Sequence, residues 1–168
     1  MGNPKLTLRP LQASDLTDEV AFAATPREVI EGWLKLQEDG HLVFLVACLD
    51  GLPVGRGGID YGSHAHEDAV HLWSLRVAES CRGRGIGGVL IDALEAQAAA
   101  DGLTAVRLEV EADNLAARRL YERHGYHVDA ETEGSQNYID STGELHELAE
   151  RCLVMRKALP AQAVASSR

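Results

Sequence analysis

Arg82, Gly83, Arg84, Gly85, Ile86, Gly87 and Gly88 lie together in the stretch CRGRGIGGVLIDALE, residues 81–95. A glycine-rich turn between a strand and a helix gathers several backbone N–H groups on one spot, and the helix dipole adds positive potential there. Glycine also lets the backbone approach an anion closely. With two arginines alongside, the turn reads as a cradle for a ligand that carries phosphate. It has two spellings. Gly83, Gly85 and Gly88 form G-x-G-x-x-G, a dinucleotide fingerprint, and Glu109 falls about 20 residues on, where a ribose-binding acid is sought. Arg82, Gly85 and Gly87 form R-x-x-G-x-G. A hairpin and a third long strand lead into the turn, and only 80 residues follow Gly88. That makes a doubly wound nucleotide-binding sheet the remote reading. A tight turn with no ligand is a further one.

A second constellation follows in LEVEADNLAARRLYERHGY. Asn114, Ala117, Tyr121, Gly125 and Tyr126 form N-x-x-A-x-x-x-Y-x-x-x-G-Y. Asn114 and Tyr121 are seven residues apart and share one face of a helix. Taken alone, Tyr121 reads more readily as a core aromatic than as a catalyst.

Together the two constellations resemble the GNAT family of acetyl-CoA-dependent N-acetyltransferases. The similarity is close over residues 77–126, as V-x-x-x-x-R-G-x-G-I-G and then L-x-V-x-x-x-N-x-x-A-x-x-x-Y-x-x-x-G-Y. It is looser at LTLRPLQASDL and LVMRKAL. The resemblance implies an α/β fold with a mixed, mostly antiparallel sheet flanked by helices. It implies that backbone groups of Leu75 and Val77 pair with the pantetheine arm and that residues 82–88 cradle the pyrophosphate. Asn114 and Ala117 would hold the cofactor arm, and Tyr121 would protonate the departing thiolate. Glu79 stands where the family often has proline. The chemistry agrees, since a phenol with a pKa near 10 can give a proton to a thiolate without being ionised at neutral pH. A backbone N–H on the splayed strand could steady an oxyanion. The acyl donor is then acetyl-CoA, with no metal required.

The proton on an ammonium acceptor needs a base. His71 is the first candidate: it titrates in the right range and is expected on the strand face of Trp73, Leu75 and Val77. A glutamate occupies the equivalent place in some family members. Glu109 and Glu111 on the next strand are alternatives, with a salt-bridged strand face, Arg107 included, as their plainer reading. His64, His66, Glu67 and Asp68 have metal-ligand character but no distant partner motif. Cys81 beside Arg82 could have a lowered pKa, yet direct transfer leaves it an ordinary turn thiol. Trp33 and Trp73 line the acceptor cleft or pack the core.

These residues need a scaffold. The sequence predicts a strand over Lys5–Arg9, a short helix capped by Ser14 or Asp15 and running to about Ala24, and a helix from Thr25-Pro26 to Glu38. Strands follow at His41–Asp50 and Leu52–Asp60, joined by the hairpin signal Asp50-Gly51. After a polar loop over residues 61–68, a strand runs from Ala69 to Ala78. The helix behind the glycines packs through Ile86, Val89, Leu90, Ala93, Leu94 and Gln97, with Asp92 and Glu95 facing away. A strand is expected over Leu103–Ala112, with Val106, Leu108 and Val110 on one face. Asp113 or Asn114 caps a helix to His124. A strand begins at Tyr126, residues 131–147 are less regular, either a long loop or a strand with a loop, and Cys152–Leu159 is the last strand. Residues 1–159 read as one N-acetyltransferase domain and 160–168 as a frayed tail.

The chain has 168 residues with a net charge of −10, against nucleic acid as a partner and in favour of a cationic one. Three scattered cysteines suit a reducing cytoplasm better than a disulfide framework. No apolar run is long enough for a membrane span. The expected reaction moves acetyl from acetyl-CoA to a primary amine of a small cationic molecule or of a peptide or protein, within a ternary complex. The rival is an acyl-CoA-binding sensor of the same fold. Two copies could pair through their last strands into a homodimer.

Overall fold

Asp50 and Gly51 both take positive φ, 51° and 86°, the torsions of a two-residue hairpin turn that matches the twist of its strands. They join β2 (Leu42–Leu49) to β3 (Leu52–Asp60) in an antiparallel ladder. The other elements are β1 (Leu6–Pro10), α1 (Arg27–Glu38), β4 (Ala69–Val77), α2 (Ile86–Ala100), β5 (Ala105–Glu111), α3 (Leu115–Arg123), β6 (His127–Ile139) and β7 (Leu145–Ala158). This computed structural model describes residues 4–16, 21–22, 25–62, 69–139 and 145–161, without the side chains of 135–139 and 145–148. The strands form a mixed seven-stranded sheet in the order β1-β2-β3-β4-β5-β7-β6, flanked by helices as expected. The chain divides into two compact units, Met1–Val106 with Ala158–Arg168, and Arg107–Lys157.

In the first unit, β1 to β4 are antiparallel neighbours with apolar residues on both faces. Leu42, Phe44, Val46 and Cys48 pack with Leu11, Phe22 and Ile30 of the α1 side, and Trp33, Leu34 and Trp73 join them. Leu45, Ala47 and Leu49 belong to the α2 side, with Cys81, Ile86, Leu90, Leu75 and Val77. This is the period-two alternation of a sheet covered on both faces.

β4 breaks that alternation. Gly58 pairs with Trp73 and Arg56 with Arg76, so Ser74 and Leu75 together oppose Gly57. Ser74 takes a φ of 54°, and the extra residue makes a β-bulge. One inserted residue exchanges the faces of everything beyond it. Trp73 therefore packs on the α1 side, whereas Leu75 and Val77 pack on the α2 side. This corrects the expectation that His71, Trp73, Leu75 and Val77 share a face. Gly57 makes the bulge possible, because a Cβ there would lie 3.0 Å from Cδ1 of Leu75 and 3.3 Å from Cδ1 of Leu94.

In the second unit, the backbone of Ala112 donates to the carbonyl of Arg151 on β7, and β7 pairs with β6 over His127–Ile139 opposite Leu145–Arg156. The less regular stretch expected over 131–147 is thus ladder as far as Ile139 and again from Leu145. Its residues are mostly polar, so no apolar alternation marks it as strand. The last strand starts at Leu145 rather than Cys152. β6, not β7, ends the sheet order.

Smaller corrections concern caps and faces. Gln12, not Ser14 or Asp15, heads a single turn of 3-10 helix over Ala13–Asp15. Asp15 is 1% exposed and holds both Arg9 Nη1 and Nη2 at 2.7 Å, so its carboxylate is an ion-pair anchor. The rest of the helix expected up to Ala24 falls largely outside the described residues. Thr25 does not cap α1; Pro26 precedes it directly, and the Thr25 hydroxyl accepts from Arg56 instead. On α2, Glu95 is buried beside Ile91 and Ala98, while Gln97 is exposed and donates to Asp101.

Candidate active site

The glycine turn follows β4 through a short 3-10 segment, Glu79–Cys81. Gly83 and Gly85 take φ of 74° and 78°, the region where a side chain is strained. Neither would meet another atom with an added Cβ, so backbone torsion, not space, selects glycine. Gly85 is the N-cap of α2 and has no side chain to cap it, so the N–H groups that open the helix have no intrahelical acceptor. Arg82, Gly83, Arg84 and Gly85 are exposed, Ile86 is buried, and Gly87 and Gly88 are half-buried. Arg82 Nε donates to the Val77 carbonyl at 3.2 Å, which ties the arginine back to the end of β4. Uncapped N–H groups, two exposed cations and open space beside Gly83 and Gly85 fit the pyrophosphate of an acyl-CoA. Cys81 is buried among Ala47, Val54, Ala78, Ile86 and Leu90 and serves as packing.

Upstream, Ser74 and Leu75 have no register partner on β3, so the bulge withdraws backbone groups from the ladder next to the turn. His71 is half-buried opposite Asp60.

In the second unit, Asn114 is the N-cap of α3, its Oδ1 accepting from the backbone N of Ala117 at 3.1 Å. The carboxamide NH2 is the group it has left to offer a ligand. Ala117 contributes that capped amide. Seven residues on, Tyr121 is 8% exposed and meets Tyr126 edge-on, with ring centroids 5.8 Å apart. Gly125, at φ 89°, turns the chain back so that Tyr126 N donates to the Tyr121 carbonyl. Burial pushes the Tyr121 phenol up to about 12. Glu109 is ion-paired with Arg107 at 3.3 Å, the plainer of its two expected readings. The His64, His66, Glu67 and Asp68 cluster lies outside the described residues; among those described, no three side chains are grouped to hold a metal. No described helix is long and apolar enough to cross a membrane.

Three features escaped the sequence. One is the bulge at Ser74, whose only trace is Gly57 on the partner strand. A second is Glu150, where burial and then the charges of Glu111 and Asp113 push the carboxyl up. The third is Arg56, 6% exposed. Its Nη1 donates to Thr25 Oγ1 at 2.8 Å, and its guanidinium lies 5.2 Å from the ring centroids of both Phe22 and Trp33. Its Nε has no partner. Burial, then the charge of Arg76, lowers it to about 10, so it is still a cation at neutral pH. Two aromatic faces at about 1–2 kcal/mol each and one hydroxyl bond at about 1 kcal/mol only partly offset several kcal/mol of charge burial. Beside it, Trp33 stacks on Phe44 at 4.9 Å and meets Trp73 edge-on at 5.1 Å. The buried Nε1 of Trp73 also lacks an acceptor.

The sequence pattern of the acetyltransferase (GNAT) family matches residues 8–126. An uncharacterized N-acetyltransferase of Methanocaldococcus jannaschii is 33% identical over 126 residues, 73% of this chain and 75% of that protein. Mycothiol acetyltransferase of Jonesia denitrificans is 37% identical over 80 residues, 48% of this chain, and the match spans only 24% of that protein. Among solved structures, yncA of Salmonella typhimurium, determined with its cofactor acetyl-CoA, has the same fold, with a TM-score of 0.70 at 17% identity over 97% of this chain and 99% of that one. The turn, the helix it heads and the capped Asn114–Tyr121 helix are thus found in a chain that belongs to the GNAT family of acetyltransferases.

Proposed function

We propose that residues 1–159 act as one N-acetyltransferase domain that moves acetyl from acetyl-CoA to a primary amine of a small molecule or of a peptide or protein, in the cytoplasm. The observation that carries this reading is the run from the β4 bulge to the head of α2. Within residues 74–85 it offers strand backbone with no register partner on β3, two exposed arginines and two positive-φ glycines ahead of uncapped N–H groups. The acyl donor, when bound, supplies a thioester whose carbonyl carbon is attacked. In the first unit the backbone of Leu75 and Val77 is the candidate guide for its arm and residues 82–88 are the candidate hold on its phosphates; in the second, Asn114 and Ala117 are further candidates for the arm.

In the transfer the amine nitrogen bonds to the acetyl carbon, the C–S bond breaks, the amine gives up a proton to the base, and the sulfur leaves as a thiolate that takes its proton from solvent. His71 is the candidate base, acting directly or through water. Glu109 is a weaker candidate while it is held by Arg107. Tyr121 is the candidate group to act on the sulfur. A phenol at about 12 is a weaker acid than a thiol near 8.5, so full transfer to the thiolate runs uphill by about 5 kcal/mol. Tyr121 therefore works best by donating a hydrogen bond that stabilises the leaving sulfur while remaining protonated at every working pH.

The test is thiol release from acetyl-CoA over a panel of amines. Tyr121→Phe should lower kcat by about 100-fold or more and leave acetyl-CoA affinity within a few-fold. Unchanged turnover removes Tyr121 from the chemistry. Acetyl-CoA binding without turnover on any amine favours the sensor.

A further inference from the structure

Arg56 differs from Arg9, which is half-buried against a charged partner. Arg9 has a carboxylate on both Nη atoms. Arg56 has a neutral hydroxyl, two ring faces and an Nε with nothing to donate to. The charge that acts on it is another cation, Arg76, its register partner on β4. A second donor without an acceptor, Trp73 Nε1, lies in the same cluster, because the Arg56 guanidinium and the Trp73 indole both rest against Trp33. A planar, doubly accepting anion is the group that satisfies a guanidinium edge together with an indole N–H.

The position is as informative as the chemistry. Arg56 opposes Arg76 and Gly58 opposes Trp73, so the two donors flank the Ser74–Leu75 bulge across two strands. Phe22, Thr25 and Trp33 close in on the guanidinium, so a ligand that reached it would be held among apolar walls. We propose that Arg56 and Trp73 seat a carboxylate of the acetyl acceptor, so that the acceptor is a small amino acid, with its amine close to its carboxylate, rather than a polyamine or a peptide. This rests on the acetyltransferase reading for its chemistry, but the binding site can be tested apart from it.

Trp33 and Trp73 are the two tryptophans of the chain, so intrinsic fluorescence reports entry of a ligand without turnover. The twenty common L-amino acids, each beside its decarboxylated amine, are titrated in the presence of CoA and assayed as acceptors with acetyl-CoA. At least one amino acid should bind 10-fold or more tightly than its amine and show the same preference in kcat/KM. Arg56→Met should bring that ratio to about one through KM, with a Tm equal to or above that of the native protein, since it removes a buried unpaired cation. Arg56→Lys should keep part of the preference. Amines that match their amino acids across the panel overturn the proposal. So does an Arg56→Met protein that keeps the ratio, or one that loses both acceptor types equally along with its Tm. If amino acids are bound selectively but nothing is acetylated, the carboxylate seat stands and the transferase reading falls.

Discussion

Gly58 has no space for a side chain: a Cβ would lie 2.8 Å from Cδ2 of Phe44 and 3.1 Å from the Val43 carbonyl oxygen. The second of these is backbone and cannot swing aside. Gly58→Ala should therefore cost about 1–3 kcal/mol by overpacking, seen as a Tm lower by several degrees. Gly32 is the matched control. It sits exposed inside α1 with nothing within 4 Å of an added Cβ, so Gly32→Ala should stabilise by up to about 1 kcal/mol through helix propensity. Equal effects at the two positions would show that propensity, not space, governs both. At Gly83 and Gly85 of the glycine turn the constraint is a third one, since torsion decides there and space does not.

At the scale of elements, β4 is where period-two reasoning fails. An alternating pattern predicts a strand, and the strand is there, but one serine at φ 54° shifts the parity and hands Leu75 and Val77 to the other core. A positive φ on a residue with a Cβ costs about 1–3 kcal/mol. Ser74→Gly should relieve part of this and raise the urea midpoint, whereas Ser74→Val should lower it by more than the glycine gains, since β-branching makes the torsion worse. If valine is tolerated as well as serine, the bulge is not fixed by that residue. The helices were easier to read. The glycine turn before α2 and Asn114 before α3 announce their boundaries through torsion and capping, which are local. Faces depend on what arrives from elsewhere: Glu95 looks like a solvent residue in its own helix and is buried all the same.

Across the whole molecule, the legible parts are those with a local cause or an apolar period, and the illegible ones have neither. The motif residues from Arg82 to Tyr121 are plain in the sequence. The β6–β7 ladder over Glu131–Ile139 and Leu145–Glu150 is too polar to show. Arg56 reads as one charge in a glycine-rich strand, and only the fold reveals it as buried. Alkaline stability is a whole-molecule property that follows from one buried phenol. Tyr121 ionises near 10 in an unfolded chain and at about 12 in the fold. Its contribution is complete below pH 10 and is lost as pH rises toward 12, amounting to about 3 kcal/mol. Tyr61, raised by burial and by its bond to Asp101, acts in the same direction. Urea titrations at pH 8, 10 and 11.5 should show the decline, and Tyr121→Phe should reduce it; an identical decline in that variant would assign the loss to other groups. The bulge has a last consequence, at the level of the gene. Loss of one codon from the run encoding Trp73, Ser74 and Leu75 would restore a regular strand and turn the segment before it, or the segment after it, onto the wrong core. β4 should therefore survive many missense changes that leave its length alone, and should not survive an in-frame deletion of one residue at the bulge.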